Sequence, residues 1–363
     1  MVRAWVKLIW NSLGVAVVTA AAQLGIAQAL GIVRWGESFD ASHPSDWNAM
    51  LTWVGFIYAV AVLGGAAVGR RAVRRPGRPD GMAARVIAVL AAGLGAAAAV
   101  AIAWLPARTA KPPVNIDPEL VVAMTAGAGI IVGILVALVA MSARPAAAGV
   151  RAAVAWIWFV GTASAVAGVV THVPFDLPRL AVIDAPSLVP THWWSGPNLM
   201  IGVAALLGFI VAGVARAGGA QRIGTALSGV TGPAMVAAAY LIAGPGSGSD
   251  RSNQLEPYDA SLIAAGVGLC ASVLVAVPGR RAERTTLWTQ ATHTEHPADD
   301  SMDDEPIIGE IIDVPPAPRQ DVRQGVMGQP TRSFEQDYSD WLRELGHVPG
   351  APPNGERQPH EHR

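Results

Sequence analysis

The chain has 363 residues, of which 52% are apolar and 15% are charged, with a formal net charge of −1. Because soluble globular domains carry about 25% charged residues, this composition excludes an ordinary soluble domain and indicates that lipid is the solvent over much of the chain. The single cysteine, Cys270, excludes an intrachain disulfide framework.

Long apolar segments dominate the first 280 residues. A helix needs about 20 apolar residues to cross a hydrocarbon core of about 30 Å. A transmembrane barrel would instead show short alternating segments, so we predict an all-α polytopic membrane protein. The predicted crossings are eight, at 8–33, 51–69, 84–105, 120–142, 152–172, 197–216, 223–244 and 260–278.

The start of the chain resembles a signal peptide, with basic residues, an apolar run and Ala27-Gln28-Ala29. Its apolar run is longer than that of a typical signal, so we expect the first crossing to be retained.

Basic residues occupy every second loop, and positive loops stay on the cytoplasmic side. They are Arg3, Lys7, Arg70, Arg71, Arg74, Arg75, Arg78, Arg85, Arg144, Arg151, Arg216, Arg222, Arg280, Arg281 and Arg284. The intervening loops are acidic or mixed. The pattern therefore predicts a multi-pass protein of the plasma membrane with both termini in the cytoplasm.

One stretch of sequence occurs twice. IDPELVVAMTAGAG at 116–129 returns about 139 residues later as LEPYDASLIAAGVG at 255–268. Further pairs fall near the same spacing, namely Arg3 and Trp10 with Arg151 and Trp158, Trp47 and Arg70 with Trp193 and Arg216, and Arg85 with Arg222. We predict two parallel four-helix repeats, 1–145 and 146–280, related by a pseudo-two-fold axis along the membrane normal. The alternative is chance similarity among alanine, glycine, valine and leucine.

Small residues four positions apart indicate faces for close helix packing in lipid. The predicted packing residues are Gly65, Gly69, Gly129, Gly133, Gly268 and Ser272. With Gly127 and Gly266 added, the fourth and eighth crossings are expected near the centre of the bundle.

The predicted crossings contain no Asp, Glu, Lys or Arg within their apolar cores. Ion-coupled carriers usually keep such a residue, so this pattern disfavours one. The polar residues that remain either bond between helices or line a polar path; they are Asn11, Gln23, Gln28, Thr125, Thr162, Thr225, Ser228 and Thr231. Pro233 beside Gly232 is a potential break in the seventh crossing, without a counterpart in the third.

The outer loops contain His43, His172, Asp176, Asp184 and His192, which are metal-binding and acid–base residue types. Their spacing matches no defined site, and the sequence lacks the common phosphate, nucleophile and zinc motifs. We therefore predict no metal, no cofactor and no enzymatic activity. Tryptophans near the predicted boundaries, Trp35, Trp47, Trp104, Trp193 and Trp194, are interpreted as interface anchors.

The cytoplasmic loop RRAVRRPGRP, 70–79, is strongly basic. Arg70, Arg71, Arg74, Arg75 and Arg78 are predicted to contact anionic lipid headgroups. An acidic protein partner or the acidic tail is the alternative. Nucleic acid is not predicted, since the chain has no basic domain.

Residues 281–363 are acidic and poor in apolar side chains, which predicts a disordered cytoplasmic tail. Within it, 334–345 has helical periodicity, with Phe334, Tyr338, Trp341, Leu342 and Leu345 on one face. We expect this helix to bind the groove of a cytoplasmic or membrane protein partner. Membrane contact is the alternative, disfavoured by the acidic polar face.

We predict a non-enzymatic organiser or subunit of a bacterial cell-envelope or division assembly, acting through the tail. The alternative is a transporter or flippase for a neutral or lipid-linked solute, using the interface between the repeats. A polar cavity at that interface would favour the alternative. An outward-facing enzyme using His172, Asp176 and His192 is a third possibility.

Overall fold

A computed structural model describes residues 2–36, 38–39, 44–73, 81–113, 115–171, 177–183, 196–244 and 251–277. All of them belong to one compact unit, Met1–His293. The regular structure in these ranges is helical, apart from an isolated bridge between Ser38 and Lys111. The helices are α1 Val2–Ala29, α2 Pro44–Val73, α3 Met82–Ala98, α4 Val100–Ala107, α5 Pro118–Ser142, α6 Arg144–Thr171, α7 Gly196–Ala217, α8 Arg222–Ala226, α9 Thr231–Ala243 and α10 Arg251–Ala276.

Seven helical stretches in the described residues are long and apolar enough to cross a membrane. They are α1, α2, α3 with α4, α5, α6, α7 and α10. Their outer faces carry large apolar side chains such as Val18, Leu94 and Val214, which are 67%, 67% and 71% exposed. Continuous exposed apolar surface of this kind fits contact with lipid. The chain is therefore a helical, multi-pass membrane protein.

The predicted seventh crossing, 223–244, is interrupted. The short helix α8 is followed by turns at 227–230, and then by α9, which ends at Gly244 with φ 81°. Pro233 is the third residue of α9, where its missing N–H removes no helical hydrogen bond. The 13 residues of α9 cover about 20 Å at 1.5 Å per residue, which is less than the hydrocarbon core. An eighth crossing stays a prediction.

Helix α2 forms the centre of the bundle. Of its apolar window, 78% is buried, against 22% to 50% for the other candidate crossings. Trp53, Phe56 and Tyr58 are completely buried on it. The expectation that the fourth and eighth crossings would be central was wrong for Gly127 and Gly266, where a Cβ would have no neighbouring atom within 4 Å.

Small residues allow close backbone approach between helices. A methyl group on Gly65 of α2 would lie 2.5 Å from the carbonyl oxygen of Ser12, and Gly69 lies against the Ser12 side chain. On α5, Gly129 lies against the carbonyl of Gly55, and a methyl group on Gly133 would be 2.7 Å from the carbonyl oxygen of Ala59. These contacts bring α1 and α5 onto α2.

The predicted packing residues of α10 contact α7 and the turn between α8 and α9. Gly268 lies against the backbone of Gly229, in the turn between α8 and α9. The Ser272 hydroxyl is 2.9 Å from the carbonyl oxygen of Gly268 and 3.4 Å from that of Gly208 on α7. Helix α10 therefore packs closely on both α7 and the interrupted helix.

A non-helical segment, 177–183, enters the bundle between α6 and α7; we call it the inserted segment. Leu177, Leu180, Ala181 and Val182 are at most 3% exposed. Non-helical backbone at membrane depth requires partners from the protein. Three of its carbonyls accept side-chain hydrogen bonds, Pro178 from Trp53 (2.7 Å), Leu180 from Tyr240 (2.8 Å) and Val182 from Ser164 (3.4 Å).

The tryptophans are less uniform than predicted. Trp35 and Trp47 are 5% and 3% exposed, so their interpretation as interface anchors was wrong. Trp47 instead packs edge-to-face on Phe39, with ring centroids 5.3 Å apart. Trp104 packs under the guanidinium of Arg108, 4.4 Å from the ring centroid. Because a tryptophan ring suits both a core and a headgroup layer, position in sequence alone does not separate the two.

Candidate anion-binding cavity

A cavity of about 520 Å³ lies where the ends of α2, α3, α5 and α6 meet; we call it the basic cavity. Five arginines line it, Arg70, Arg71, Arg85, Arg144 and Arg151. Among the lining residues that the structure describes, none is acidic. The site therefore concentrates positive charge at one end of the bundle.

The helices bring these arginines together from separate stretches of chain. Arg70 and Arg71 lie in the last turns of α2, and Arg85 lies in the first turn of α3. Arg144 opens α6, and Arg151 follows seven residues later. Seven residues are about two helical turns, so both side chains share one face of α6.

The start of α6 is placed by a sharp connection. Ala143, with extended backbone (φ −137°, ψ 125°), is the one residue between α5 and α6. Pro145 in the first turn of α6 restricts the residue before it and fits the helix start. The connection keeps the end of α5 beside the arginines of α6.

Hydrogen bonds orient two of the arginines. Arg70 donates from Nη1 to the carbonyl oxygen of Met141 over 3.0 Å. Met141 belongs to the last turn of α5, where carbonyls lack helical partners, so Arg70 caps α5 from α2. Arg151 donates from Nε to the carbonyl oxygen of Ala147 over 3.1 Å.

Apolar side chains form the rest of the wall, among them Leu63, Ala66, Ala137, Ala140 and Val150. Leu63 precedes Arg71 by eight residues on α2, which corresponds to about 12 Å along the axis. The cavity therefore has a cationic end and an apolar side that continues toward the membrane interior.

Only part of this site was predicted from the sequence. Arg70 and Arg71, predicted headgroup contacts, line the cavity, while Arg74, Arg75 and Arg78 lie outside the described residues. Arg85, Arg144 and Arg151 were not predicted as site residues, since they were interpreted only as indicators of membrane orientation. The sequence did place the second and fourth loops, both basic, on the same side of the membrane, which could have indicated a shared site.

The outer histidine and aspartate residues, His43, His172, Asp176, Asp184 and His192, lie outside the described residues. So do 281–363, including Phe334, Tyr338, Trp341, Leu342 and Leu345. Within the part of the chain that the structure describes, no group of three or more His, Cys, Asp or Glu side chains is placed to hold a metal ion.

A second, smaller cavity of about 40 Å³ lies among α6, α7 and α9. Its lining includes Gly149, Gly208, Gly232 and Ala181 of the inserted segment. The indole nitrogen of Trp156, also in the lining, is buried without a hydrogen-bond partner among the described residues. The volume is sufficient for a water molecule, but the site lacks the charge of the basic cavity.

Aromatic side chains from the two predicted halves pack together between the basic cavity and the inserted segment. Trp53 of α2 and Trp158 of α6 have ring centroids 5.6 Å apart. Trp158 also donates its N–H to the side-chain oxygen of Gln23 over 3.0 Å. Gly161 lies directly against the Trp53 ring, which leaves no room for a side chain there.

Comparison with known proteins gave no relative: no family model, no curated protein and no solved structure matches the chain.

Proposed function

We propose that this chain is a transporter or flippase for a lipid-linked solute in a bacterial plasma membrane. The basic cavity is the observation that carries the proposal. It lies between helices of the first predicted half, α2, α3 and α5, and the first helix of the second, α6. A polar cavity at that interface is the feature that distinguishes a transporter from an organiser, whose halves have no reason to leave one open.

The proposed architecture has eight crossings in two four-helix repeats, and the packing supports it. Gly129 and Gly268 correspond in the two copies of the repeated sequence, and both lie against the backbone of a glycine. Gly127 and Gly266 also correspond, and a Cβ at either would have no atom within 4 Å. Both copies therefore have one closely packed and one open glycine, although Gly55 lies in the second predicted crossing and Gly229 in the seventh.

In the proposed orientation the basic cavity opens toward the cytoplasm. The arginines of the second and fourth loops collect at this end, whereas Asp117 and Glu119 precede and begin α5 at the other. Positive loops are retained in the cytoplasm, which supports this orientation and cytoplasmic termini.

Toward the opposite end, the inserted segment packs into the bundle, and we propose that it closes the path there. Its buried backbone and its hydrogen bonds from Trp53, Tyr240 and Ser164 fill the space between α2, α6 and α9. A cavity on one side and a packed seal on the other fit one state of an alternating-access cycle.

Transport is testable with purified protein in liposomes. A fluorescent polyprenyl diphosphate, placed in both leaflets, is bleached from outside with a membrane-impermeant reductant. We expect bleaching beyond half of the signal in protein liposomes, and only half in protein-free liposomes. Equal bleaching in both preparations, with this probe and with a labelled neutral lipid, would overturn the proposal.

The organiser function rests on the tail and stays a second proposal. Phe334, Trp341 and Leu345 form part of the predicted apolar face that would bind a cytoplasmic partner. Deleting 333–346 is expected to abolish capture of partners in a crosslinked pulldown from living cells. An unchanged set of partners would contradict this role.

A further inference from the structure

We infer that the basic cavity binds a lipid whose headgroup phosphate carries more than one negative charge, a phosphomonoester or a diphosphate on an apolar chain. The inference rests on the proposed function and specifies the substrate class of the same site. It goes beyond contact of a basic loop with the membrane surface, because arginines from three helices, α2, α3 and α6, line one cavity.

Charge selects the headgroup. In the part of the chain that the structure describes, the cavity lining contains five arginines and no carboxylate. A guanidinium binds phosphate through two parallel N–H···O bonds, so one or two arginines saturate the charge of a phosphodiester. A headgroup with a charge of two or more uses donors from both sides of the cavity, α2 with Arg70 and Arg71, and α6 with Arg144 and Arg151.

Helix electrostatics act in the same direction. Arg85 lies in the first turn of α3, at the positive end of the helix dipole, and Gly81 supplies no side-chain cap there. The dipole opposes a cation at this position and favours an anion. A phosphate near Arg85 therefore interacts favourably both with its guanidinium and with the dipole of α3.

Shape selects an amphiphile over a free anion. The cavity volume, about 520 Å³, is far larger than an inorganic phosphate needs and lies within the range of about 300–1,000 Å³ for small-molecule pockets. Leu63, Ala66 and Val150 continue the wall away from the arginines. Their apolar surface matches the first part of a hydrocarbon chain.

Hydrogen bonding already fixes part of the site. Arg70 is held by the carbonyl of Met141, and Arg151 by that of Ala147. Each bond restricts a long side chain before the ligand arrives, which reduces the entropy lost on binding. A guanidinium has five N–H donors, and the bond from Arg151 to Ala147 uses only its Nε–H.

The test measures binding to the full-length chain in detergent micelles at two salt concentrations. The probes are geranylgeranyl diphosphate, dioleoyl phosphatidylglycerol as the phosphodiester, inorganic diphosphate, and geranylgeraniol. We expect the first to bind at least about tenfold more tightly than the other three, with affinity that falls as salt rises. Equal affinity for phosphatidylglycerol would overturn charge selection, and equal affinity for inorganic diphosphate would overturn the amphiphile.

Variants of α6 test the site itself. Arg144→Gln with Arg151→Gln should weaken geranylgeranyl diphosphate binding at least about tenfold, and the double lysine variant should bind with intermediate affinity because it keeps charge but loses the paired bonds. Arg108→Gln is the matched control, since Arg108 pairs with Glu119 outside the cavity. Unchanged affinity in the double glutamine variant, at an unchanged melting temperature, would overturn the inference.

The two proposals fail separately. Selective binding of geranylgeranyl diphosphate without translocation would remove the transport function and leave the site. Translocation of a lipid that is unaffected by the α6 glutamine variants would leave transport and remove the site.

Discussion

Trp53 and Pro178 are joined by a hydrogen bond of 2.7 Å, in which the indole N–H of α2 donates to a carbonyl of the inserted segment. Trp53 is the tenth residue of α2, so the inserted segment reaches about 14 Å past the start of that helix. Ala181 in the same segment has φ 61°, a left-handed conformation that alanine rarely adopts. Contacts from three helices hold this backbone in place.

Trp53→Phe should destabilise the protein. Phenylalanine keeps most of the ring packing but leaves the buried carbonyl of Pro178 without its donor, which costs about 1–3 kcal/mol. Thermal unfolding of the purified protein in detergent measures the change. Trp10→Phe is the control, since Trp10 is 66% exposed, and it should leave the melting temperature unchanged. Equal melting temperatures for both variants would contradict the role of this bond.

Gly129→Ala should destabilise the packing of α5 on α2. The added methyl group meets the carbonyl of Gly55, and such overpacking costs about 1–3 kcal/mol. Gly127→Ala, two residues away, has open space around it and should be neutral or slightly stabilising. The difference in melting temperature between these variants is the measurement. An equally large fall in melting temperature for Gly127→Ala would contradict the role of the contact with Gly55, because helix propensity favours alanine at both positions.

The repeat predicts the same contrast in the second half. Gly268→Ala should destabilise, because its methyl group meets Gly229, whereas Gly266→Ala should not. Thermal unfolding of the two variants provides the comparison. If Gly266→Ala is the more harmful of the two, the two copies of the sequence do not pack alike.

Gln23 and Trp158 connect α1 to α6 through a hydrogen bond of 3.0 Å. A double-mutant cycle with Gln23→Leu and Trp158→Phe should give a coupling free energy of about 0.6 kcal/mol, the usual size for such bonds between membrane helices. The cycle is measured by unfolding in mixed micelles. Strictly additive effects of the two changes would mean that this bond contributes nothing to joining the halves.

Membrane orientation is testable with cysteine labelling. Cys270→Ala first removes the single native thiol. In that background Ile116→Cys, beside the acidic start of α5, should react with an impermeant maleimide on intact cells, and Ser142→Cys, at the basic end, should react only after lysis. Both positions are exposed. The opposite labelling pattern would invert the proposed topology and place the basic cavity outside.

Hydropathy predicted the uninterrupted crossings well, because the need for apolar residues in lipid is local in sequence. The segment predicted at 120–142 is helix α5, Pro118–Ser142, and 84–105 lies within α3 and α4, Met82–Ala107. The interruption at 227–230 was not predicted at its observed place. The turn contains Ser228 and Gly229, and its Gly229 packs against Gly268 of α10, a contact that the local sequence does not reveal.

The inserted segment and the basic cavity required tertiary structure. Leu177 and Val182 stand in a stretch with the composition of an ordinary loop, and their burial depends on donors at Trp53 and Tyr240, far away in the sequence. The arginines were visible individually, but nothing in their spacing shows that Arg71 and Arg151 line one cavity. Pairwise proximity across folded helices is not encoded in a local pattern.

Helix α2 is one continuous helix that extends from the inserted segment to the basic cavity. Its Trp53 bonds the inserted segment, and Arg70, seventeen residues later, lines the basic cavity. The two contacts are about 26 Å apart along the axis, too far for direct interaction. Because one helix carries both contacts, any sliding or rotation of α2 would displace the inserted segment's anchor and the cavity wall together.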